Sequence, residues 1–150
     1  VHRDIKPENI VITRGHDDRE VAKVLDFGLA KLRTGLSGMT VTEHGAIVGT
    51  PYYMPPEQIR GDAIDGRCDV YAIGAMMYKA CVGSPPFTGD TPMAVLTRHL
   101  TETLIPPSER APVGLPPEVD EIIGRAMRKD PDDRYPTAED LQAGDWEAAV

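Results

Sequence analysis

The sequence predicts a mainly helical α+β fold that contains one small β-hairpin. Residues 69–82 are apolar on nearly every side, which is typical of a buried central helix. Between residues 119 and 127 the apolar positions follow the three- and four-residue spacing of an amphipathic helix. Two short β-branched segments, 10–13 and 21–25, are joined by a polar connection that contains glycine, so they predict the hairpin.

The remaining chain predicts two further helices and one long irregular segment. Residues 92–100 fit a short helix, and residues 137–140 resemble a capping box that opens a last helix. Residues 29–56 are rich in Gly, Thr and Pro and show no sustained period. An irregular segment of that length in a compact domain is usually functional. With no repeat and no domain boundary in the sequence, we expect residues 1–150 to belong to one domain.

Charge and composition exclude several classes of function. The 150 residues carry a net charge of −8, and residues 101–150 hold twelve acids against five bases. That acidic end predicts a solvated helical surface and argues against nucleic acid as a partner. The longest apolar run, residues 71–78, is far shorter than a membrane span, and no signal peptide is present. We therefore expect a cytoplasmic domain without a membrane segment, although a longer protein containing it could be anchored elsewhere.

Cysteine and histidine usage gives no indication of a metal or redox centre. Cys68 and Cys81 lack metal-binding or redox spacing and lie in an apolar helical stretch, so we expect reduced, buried thiols. The four histidines are far apart in sequence, which disfavours a zinc site.

The strongest motif is at residues 2–9, His-Arg-Asp-Ile-Lys-Pro-Glu-Asn, which match H-R-D-x-x-x-x-N at all four defined positions. A loop that leads into a strand can aim Asp4 at a substrate hydroxyl and Asn9 at a metal ion on nucleotide phosphates. Phosphoryl transfer depends on in-line positioning and on positive charge around the migrating group. We therefore expect Asp4 to accept the hydroxyl proton, Lys6 to neutralise developing charge and Asn9 to hold Mg²⁺.

A second motif, Asp26-Phe27-Gly28, follows Asn9 by seventeen residues and comes directly after the second predicted strand. Asp26 offers a carboxylate to Mg²⁺, a hard cation that prefers oxygen ligands. We expect Phe27 to be a packing residue and Gly28 to be a hinge.

Together the two motifs resemble the protein kinase family, and the resemblance covers essentially all 150 residues. It implies a protein-kinase-like C-lobe that lacks the N-lobe, with a catalytic loop at residues 2–9 and an activation segment at residues 26–57. Lys6-Pro7 is similar to the serine/threonine branch, and the whole pattern most resembles eukaryotic-type bacterial kinases. The implied reaction is transfer of the ATP γ-phosphate, with Mg²⁺, to Ser or Thr of a protein substrate.

The resemblance also implies a docking surface and a set of structural residues. Residues 49–57, here called the docking loop, are similar to the family's substrate-docking loop, and Thr50 would form a wall of that site. By the same resemblance Glu57 pairs with Arg134, and Asp69 hydrogen-bonds the backbone of the catalytic loop. His2 would be a packing and hydrogen-bonding residue under Phe27.

Two departures from the family pattern lie close to these residues. Pro55 stands where Ala or Ser is usual, and Tyr71 replaces the Trp of the D-x-W-x-x-G pattern that starts the family's central helix.

Regulation is a further expectation. Arg3 immediately precedes Asp4, and kinases with Arg there resemble one another in needing an anionic group on the activation segment. A phosphate on Thr40 or Thr42 would supply acceptor oxygens suited to a guanidinium. The alternative is that both are ordinary solvated loop threonines.

The printed sequence has no G-x-G-x-x-G motif and no V-A-I-K-like strand, both of which an active kinase needs. Residues 35–38, Gly-Leu-Ser-Gly, lie inside the activation segment and are a poor substitute. Because the chain starts at Val1 directly before the first motif, we expect a fragment whose upstream N-lobe is missing and which is inactive alone. The alternative is a non-catalytic interaction module, disfavoured because it would not need the residues Asp4, Lys6, Asn9 and Asp26.

Overall fold

The computed structural model describes residues 1–15, 18–25, 40–41, 47–48 and 51–144. Its strands are β1 (Ile10–Arg14), β2 (Glu20–Val24), β3 (Thr40–Val41) and β4 (Ile47–Val48). Its helices are α1 (Pro56–Arg60), α2 (Arg67–Val82), α3 (Pro92–Thr101), α4 (Pro107–Arg110), α5 (Pro117–Ala126) and α6 (Ala138–Gln142). Short 3₁₀ turns lie at Pro7–Asn9, Pro51–Tyr53 and Pro131–Asp133. The predicted mainly helical fold with a small hairpin is confirmed.

The predicted hairpin forms between β1 and β2, which pair antiparallel from Ile10 opposite Val24 to Arg14 opposite Glu20. β1 extends one residue beyond the predicted segment, and β2 is shifted back by one. The Leu25 N–H donates to the Asn9 carbonyl at 2.7 Å, so the pairing continues into the catalytic loop. The hairpin therefore anchors the end of that loop.

α2 is the buried centre of the helical part, as predicted, and it begins two residues earlier than expected. Val70, Tyr71, Ala75 and Tyr78 are all completely buried. α2 and α5 approach so closely that a Cβ on Gly74 would lie 2.8 Å from the Ala126 Cβ. Gly is therefore required at this crossing, because any side chain would force the two helices apart.

α3, α5 and α6 lie close to the predicted positions. The Thr137 side chain accepts a hydrogen bond from the Asp140 N–H at 3.0 Å and so caps α6 as predicted. α1 and α4 were not predicted, because helices of five and four residues are too short to show a period. In the segment predicted to be irregular, the described residues include the antiparallel pair of β3 and β4 and the 3₁₀ turn at Pro51–Tyr53.

The cysteine prediction is only partly correct. Both cysteines are free thiols, but Cys68 is buried whereas Cys81 is half-buried near the end of α2. In the part of the chain that the structure describes, no helix is long and apolar enough to cross a membrane.

Candidate active site

Asp69 holds the catalytic loop in place from the first turn of α2. Its carboxylate accepts hydrogen bonds from the backbone N–H of His2 at 2.6 Å and of Arg3 at 2.8 Å. Arg3 has a φ of 68°, a left-handed conformation that is unfavourable for a residue with a side chain. Such backbone strain persists only where the surroundings enforce it. The resemblance implied that Asp69 hydrogen-bonds this backbone, and its two charge-assisted bonds supply the enforcement.

The three residues predicted to act on the phosphoryl group lie together. The Lys6 Nζ is 3.3 Å from the Asp4 Oδ2. The Asn9 side-chain amide donates to the Asp4 carbonyl at 2.8 Å and to its Oδ2 at 3.2 Å. The side chains of Asp4 and Lys6 keep 23% exposure each, so both are fixed by neighbours and accessible to a substrate.

The amide orientation of Asn9 bears on the fit of a metal ion. Its Nδ2 is directed at Asp4, so its Oδ1 is the atom left to serve as a ligand. Asp26, the second predicted ligand, lies outside the described residues, but it directly follows Leu25, which is paired with Asn9 through the backbone. Within the described ranges no group of three His, Cys, Asp or Glu residues could hold a metal. Among the described residues, the Asn9 Oδ1 is an oxygen ligand of the kind that Mg²⁺ prefers, and the metal-binding role of Asp26 stays a prediction.

His2 is buried, and both ring nitrogens contact backbone groups. Its Nδ1 accepts from the Asp4 N–H at 3.3 Å, and its Nε2 lies 3.1 Å from the Leu25 carbonyl. A neutral ring with its proton on Nε2 satisfies both contacts. These contacts support the predicted packing and hydrogen-bonding role for His2 rather than proton transfer; Phe27 lies outside the described residues.

The predicted pair between Glu57 and Arg134 is present and buried. The two guanidinium NH groups donate to the two Glu57 oxygens at 2.7 and 2.8 Å, and the side-chain exposures are 0% for Arg134 and 5% for Glu57. Arg134 also donates to backbone carbonyls, those of Arg67, Arg128 and Lys129. Because the charges are paired and the donors are used, the desolvation cost of burying them is offset. The pair ties the end of the docking loop to the helical part.

The described part of the docking loop packs against α2 and α3. Pro51 and Tyr53 are buried, and the Tyr53 hydroxyl accepts from the Lys79 Nζ at 3.3 Å. A small cavity of about 20 Å³ separates this loop from the catalytic loop, and Asp4, Lys6 and Tyr53 contribute to its walls. That volume suits about one water molecule. Thr50 lies outside the described residues.

The predicted regulatory residues are only partly described. Arg3 is half-buried beside Asp4, the predicted base. Thr40 lies in β3 opposite Val48, and Thr42 lies outside the described residues. Their phosphorylation stays a prediction.

Sequence reasoning missed the buried polar contact between Tyr71 and His99. The Tyr71 hydroxyl lies 2.8 Å from the His99 Nδ1, and both residues are completely buried. Burial, together with the nearby Lys129 cation, lowers the pKa of His99 to about 3. His99 falls on the buried side of α3 with Val95 and Leu96, but only the tertiary fold shows that it meets Tyr71.

Lys129 was likewise missed as a structural residue. Its Nζ donates to the His99 carbonyl at 2.7 Å and lies 4.3 Å from the centre of the Phe87 ring. Burial lowers the pKa of Lys129 to about 8. Because its Nζ donates to the His99 carbonyl, the Lys129 side chain provides a hydrogen-bond partner for a carbonyl in the last turn of α3.

Comparison with known proteins agrees with this geometry. Residues 1–146 match the protein kinase domain family, and the chain belongs to that family. The serine/threonine-protein kinase PknB of Mycobacterium tuberculosis is 43% identical over 143 residues, which cover 95% of this chain and 22% of the relative.

Two further relatives give the same result. PknB of Mycolicibacterium smegmatis is 42% identical over 95% of this chain and 22% of its own length. A probable serine/threonine-protein kinase of Streptomyces coelicolor is 43% identical over 100% of this chain and 21% of its own length. The predicted resemblance to bacterial serine/threonine kinases is confirmed, and the chain spans roughly a fifth of the length of these relatives.

Proposed function

We propose that this chain is the substrate-side lobe of a serine/threonine protein kinase that transfers the γ-phosphate of ATP to protein hydroxyls. The observation that carries the proposal is the meeting of Asp4, Lys6 and Asn9 on a loop whose strained backbone is held by Asp69. The relatives named as serine/threonine kinases support the choice of hydroxyl acceptors. Residues 1–150 would then be part of one kinase domain, with a catalytic loop at 2–9 and an activation segment at 26–57.

In this proposal the roles are divided by chemistry. Asp4 accepts the proton of the attacking hydroxyl, and Lys6, 3.3 Å away, neutralises charge on the migrating phosphoryl group. Asn9 and Asp26 hold Mg²⁺. When bound, the ion neutralises the phosphate oxygens of ATP. Thr50 forms a wall of the substrate site at the start of the docking loop.

The nucleotide requires further groups in addition to these. A Gly-rich loop and a strand Lys normally hold the phosphates, and the printed sequence contains neither motif. We therefore assign those contacts to an N-lobe partner and expect residues 1–150 alone to be inactive. Calorimetric titration of the purified chain with Mg-ATP should show a Kd no tighter than about 1 mM. Micromolar binding by residues 1–150 would contradict this assignment.

For regulation, we assign the Arg3 guanidinium as the group that binds the phosphate once Thr40 or Thr42 is phosphorylated. Arg3 lies next to Asp4 and has a strained backbone. A phosphothreonine hydrogen-bonded to its guanidinium would therefore stabilise the loop that carries the base. Mass spectrometry of the active kinase should find phosphate on one of the two threonines, and the double Ala variant should lose activity. Full activity of that unphosphorylated variant would identify both as ordinary solvated threonines.

We place the kinase lobe in the cytoplasm, where ATP is available and the thiols of Cys68 and Cys81 stay reduced.

The deciding experiment is the Asp4→Asn substitution in the complete kinase. Loss of a positioned base should lower kcat about 10²- to 10⁴-fold, while Mg-ATP affinity and thermal stability stay close to wild type. Asp90→Asn is the matched control, because Asp90 is exposed in the turn before α3. Near wild-type turnover by Asp4→Asn would overturn the assignment. A wild-type complete kinase without any phosphotransfer would instead favour an interaction module.

A further inference from the structure

The docking loop is supported from beneath by a polar contact that neither the motifs nor the proposed chemistry uses. His99, on α3, is completely buried and lies against the edge of Phe87, with ring centroids 4.9 Å apart. Its Nδ1 is 2.8 Å from the hydroxyl of Tyr71 on α2. Phe87 and Tyr71 both pack in the same buried cluster as Tyr53 of the docking loop.

The protonation of this pair follows from its burial. Burial holds the pKa of His99 far below its ordinary value and that of Tyr71 well above its own, so both groups are neutral. A neutral imidazole carries one N–H and one acceptor nitrogen. The tautomer with its proton on Nε2 leaves Nδ1 to accept from the Tyr71 hydroxyl, and we assign that tautomer because the Tyr52 backbone favours a proton on the ring.

The other end of the ring is next to the docking loop. Among the described residues the His99 Nε2 makes no hydrogen bond of full geometric quality. The backbone of Tyr52 nevertheless lies near enough to favour the protonated ring, opposing the effect of burial. Tyr52 is the middle residue of the Pro51–Tyr53 turn, and that turn contacts both α2 and α3. The imidazole therefore stands between a hydroxyl fixed in the central helix and the backbone of the docking loop.

We propose that His99, oriented by Tyr71, is a positioning residue for the protein substrate, because it supports the backbone of the docking loop at Tyr52. Leaving the buried His99 Nε2–H without an acceptor costs free energy. Docking-loop conformations that bring the Tyr52 backbone close to Nε2 are therefore stabilised. Lys129 also holds this residue, because its Nζ donates to the His99 carbonyl at 2.7 Å. The departure at Tyr71 from the usual Trp supplies the hydroxyl on which this arrangement depends.

This inference rests on the proposed kinase function and predicts a specific kinetic effect. A residue that shapes the docking loop should alter the KM for the protein substrate, whereas the KM for ATP and kcat depend on the catalytic loop. A residue important only for folding would lower the amount of active enzyme and leave both KM values unchanged.

The experiment compares two hydroxyl deletions on the same helix in the complete kinase. Tyr71→Phe removes the group that orients His99. Tyr78→Phe removes the same atom from another completely buried α2 tyrosine, which lies in the same cluster but whose hydroxyl is not hydrogen-bonded to His99. Tyr71→Phe should raise the KM for the protein substrate about three- to tenfold, the effect of one lost buried hydrogen bond. kcat and the KM for ATP should change less than about twofold, and Tyr78→Phe should resemble wild type.

A double-mutant cycle tests whether the two residues act together. His99→Phe keeps an aromatic ring at this position but removes both nitrogens. Because the Tyr71 hydroxyl then has no nitrogen to orient, adding Tyr71→Phe should not change the substrate KM further. Hydrogen exchange at the amides of Tyr52, Tyr53 and Met54 should be faster in Tyr71→Phe than in Tyr78→Phe. This exchange measurement does not depend on activity, and it still applies if His99→Phe fails to fold.

Two results would overturn the inference alone: equal substrate KM values for Tyr71→Phe and Tyr78→Phe, or unchanged exchange at the docking loop. A wild-type kinase without phosphotransfer would overturn the proposed function, and the substrate role of His99 would fall with it. The wild-type assay therefore separates the two failures.

Discussion

The hairpin end of the chain (residues 1–25) and its helical body (residues 51–144) are stabilised in different ways. The strand residues of the hairpin end are all exposed or half-buried, including Ile12 at 59% and Val24 at 42% exposure. The helical body contains both buried clusters and the ion pair of Glu57 with Arg134. Hydrogen bonds join the two regions where the Asp69 carboxylate accepts from the backbone N–H of His2 and Arg3, and where Gln58 donates to the Arg3 carbonyl at 3.5 Å.

This difference assigns most of the folding stability to the helical body and the proposed catalytic groups to the hairpin end. The proposed catalytic groups Asp4, Lys6 and Asn9 belong to the weakly packed region, where side chains are accessible. The docking loop belongs to the helical body and is tied down through buried groups. A substitution in the body should therefore lower the free energy of unfolding, whereas one at the hairpin end should mainly lower turnover.

The largest expected loss of stability comes from the buried ion pair. Glu57→Gln should lower the free energy of unfolding by about 3–5 kcal/mol, because it leaves the Arg134 charge buried and uncompensated. Denaturant unfolding measures this loss. Asp62→Asn is the matched control, since Asp62 pairs with Arg60 on the surface at 2.7 Å and exposed pairs contribute about 0–1 kcal/mol. Equal effects of the two substitutions would contradict the assigned difference between buried and exposed pairs.

An intermediate effect is expected at the connection between the regions. Asp69→Asn weakens the two bonds that hold His2 and Arg3, and it should lower the free energy of unfolding by about 1–3 kcal/mol. Since those bonds enforce the strained backbone before Asp4, kcat in the complete kinase should fall more than the folded fraction does. Measuring kcat per folded molecule separates the two effects. If kcat followed the folded fraction alone, Asp69 would not position the base.

The smallest effect is a pH dependence in the helical body. The unfolded chain binds a proton at His99 below about pH 6.5, whereas burial holds the folded-state pKa near 3. The unfolded state therefore binds more protons between these values, and the free energy of unfolding falls as the pH falls through that window. Urea unfolding at pH 7 and pH 5 should show a smaller drop for His99→Phe than for wild type. Identical drops would mean that carboxylates alone account for the acid sensitivity.

Local patterns predicted much of the fold and of the candidate site. The hairpin, α2, α3, α5 and the Thr137 cap follow from side-chain periodicity and capping chemistry, which act within a few residues of the chain. Asp4, Lys6 and Asn9 could be chosen from residues 2–9 because their spacing along one loop already brings them together.

Long-range contacts were accessible only where a family resemblance supplied them. The pairing of Glu57 with Arg134, 77 residues apart, was expected on that ground and is present in the structure. The pairing of Tyr71 with His99 had no such guide, because a histidine in an apolar helix does not reveal which helix it meets.

By itself the sequence determined the hairpin, the longer helices, the proposed catalytic residues and the kinase family, since each depends on neighbours within one segment. Only the tertiary structure showed that the Arg3 backbone held by Asp69 is strained, and that the His99 ring lies between Tyr71 and the docking loop. The physical reason is that burial and hydrogen-bond partners arise from helix packing, and the Gly74 crossing that brings α2 against α5 has no local pattern.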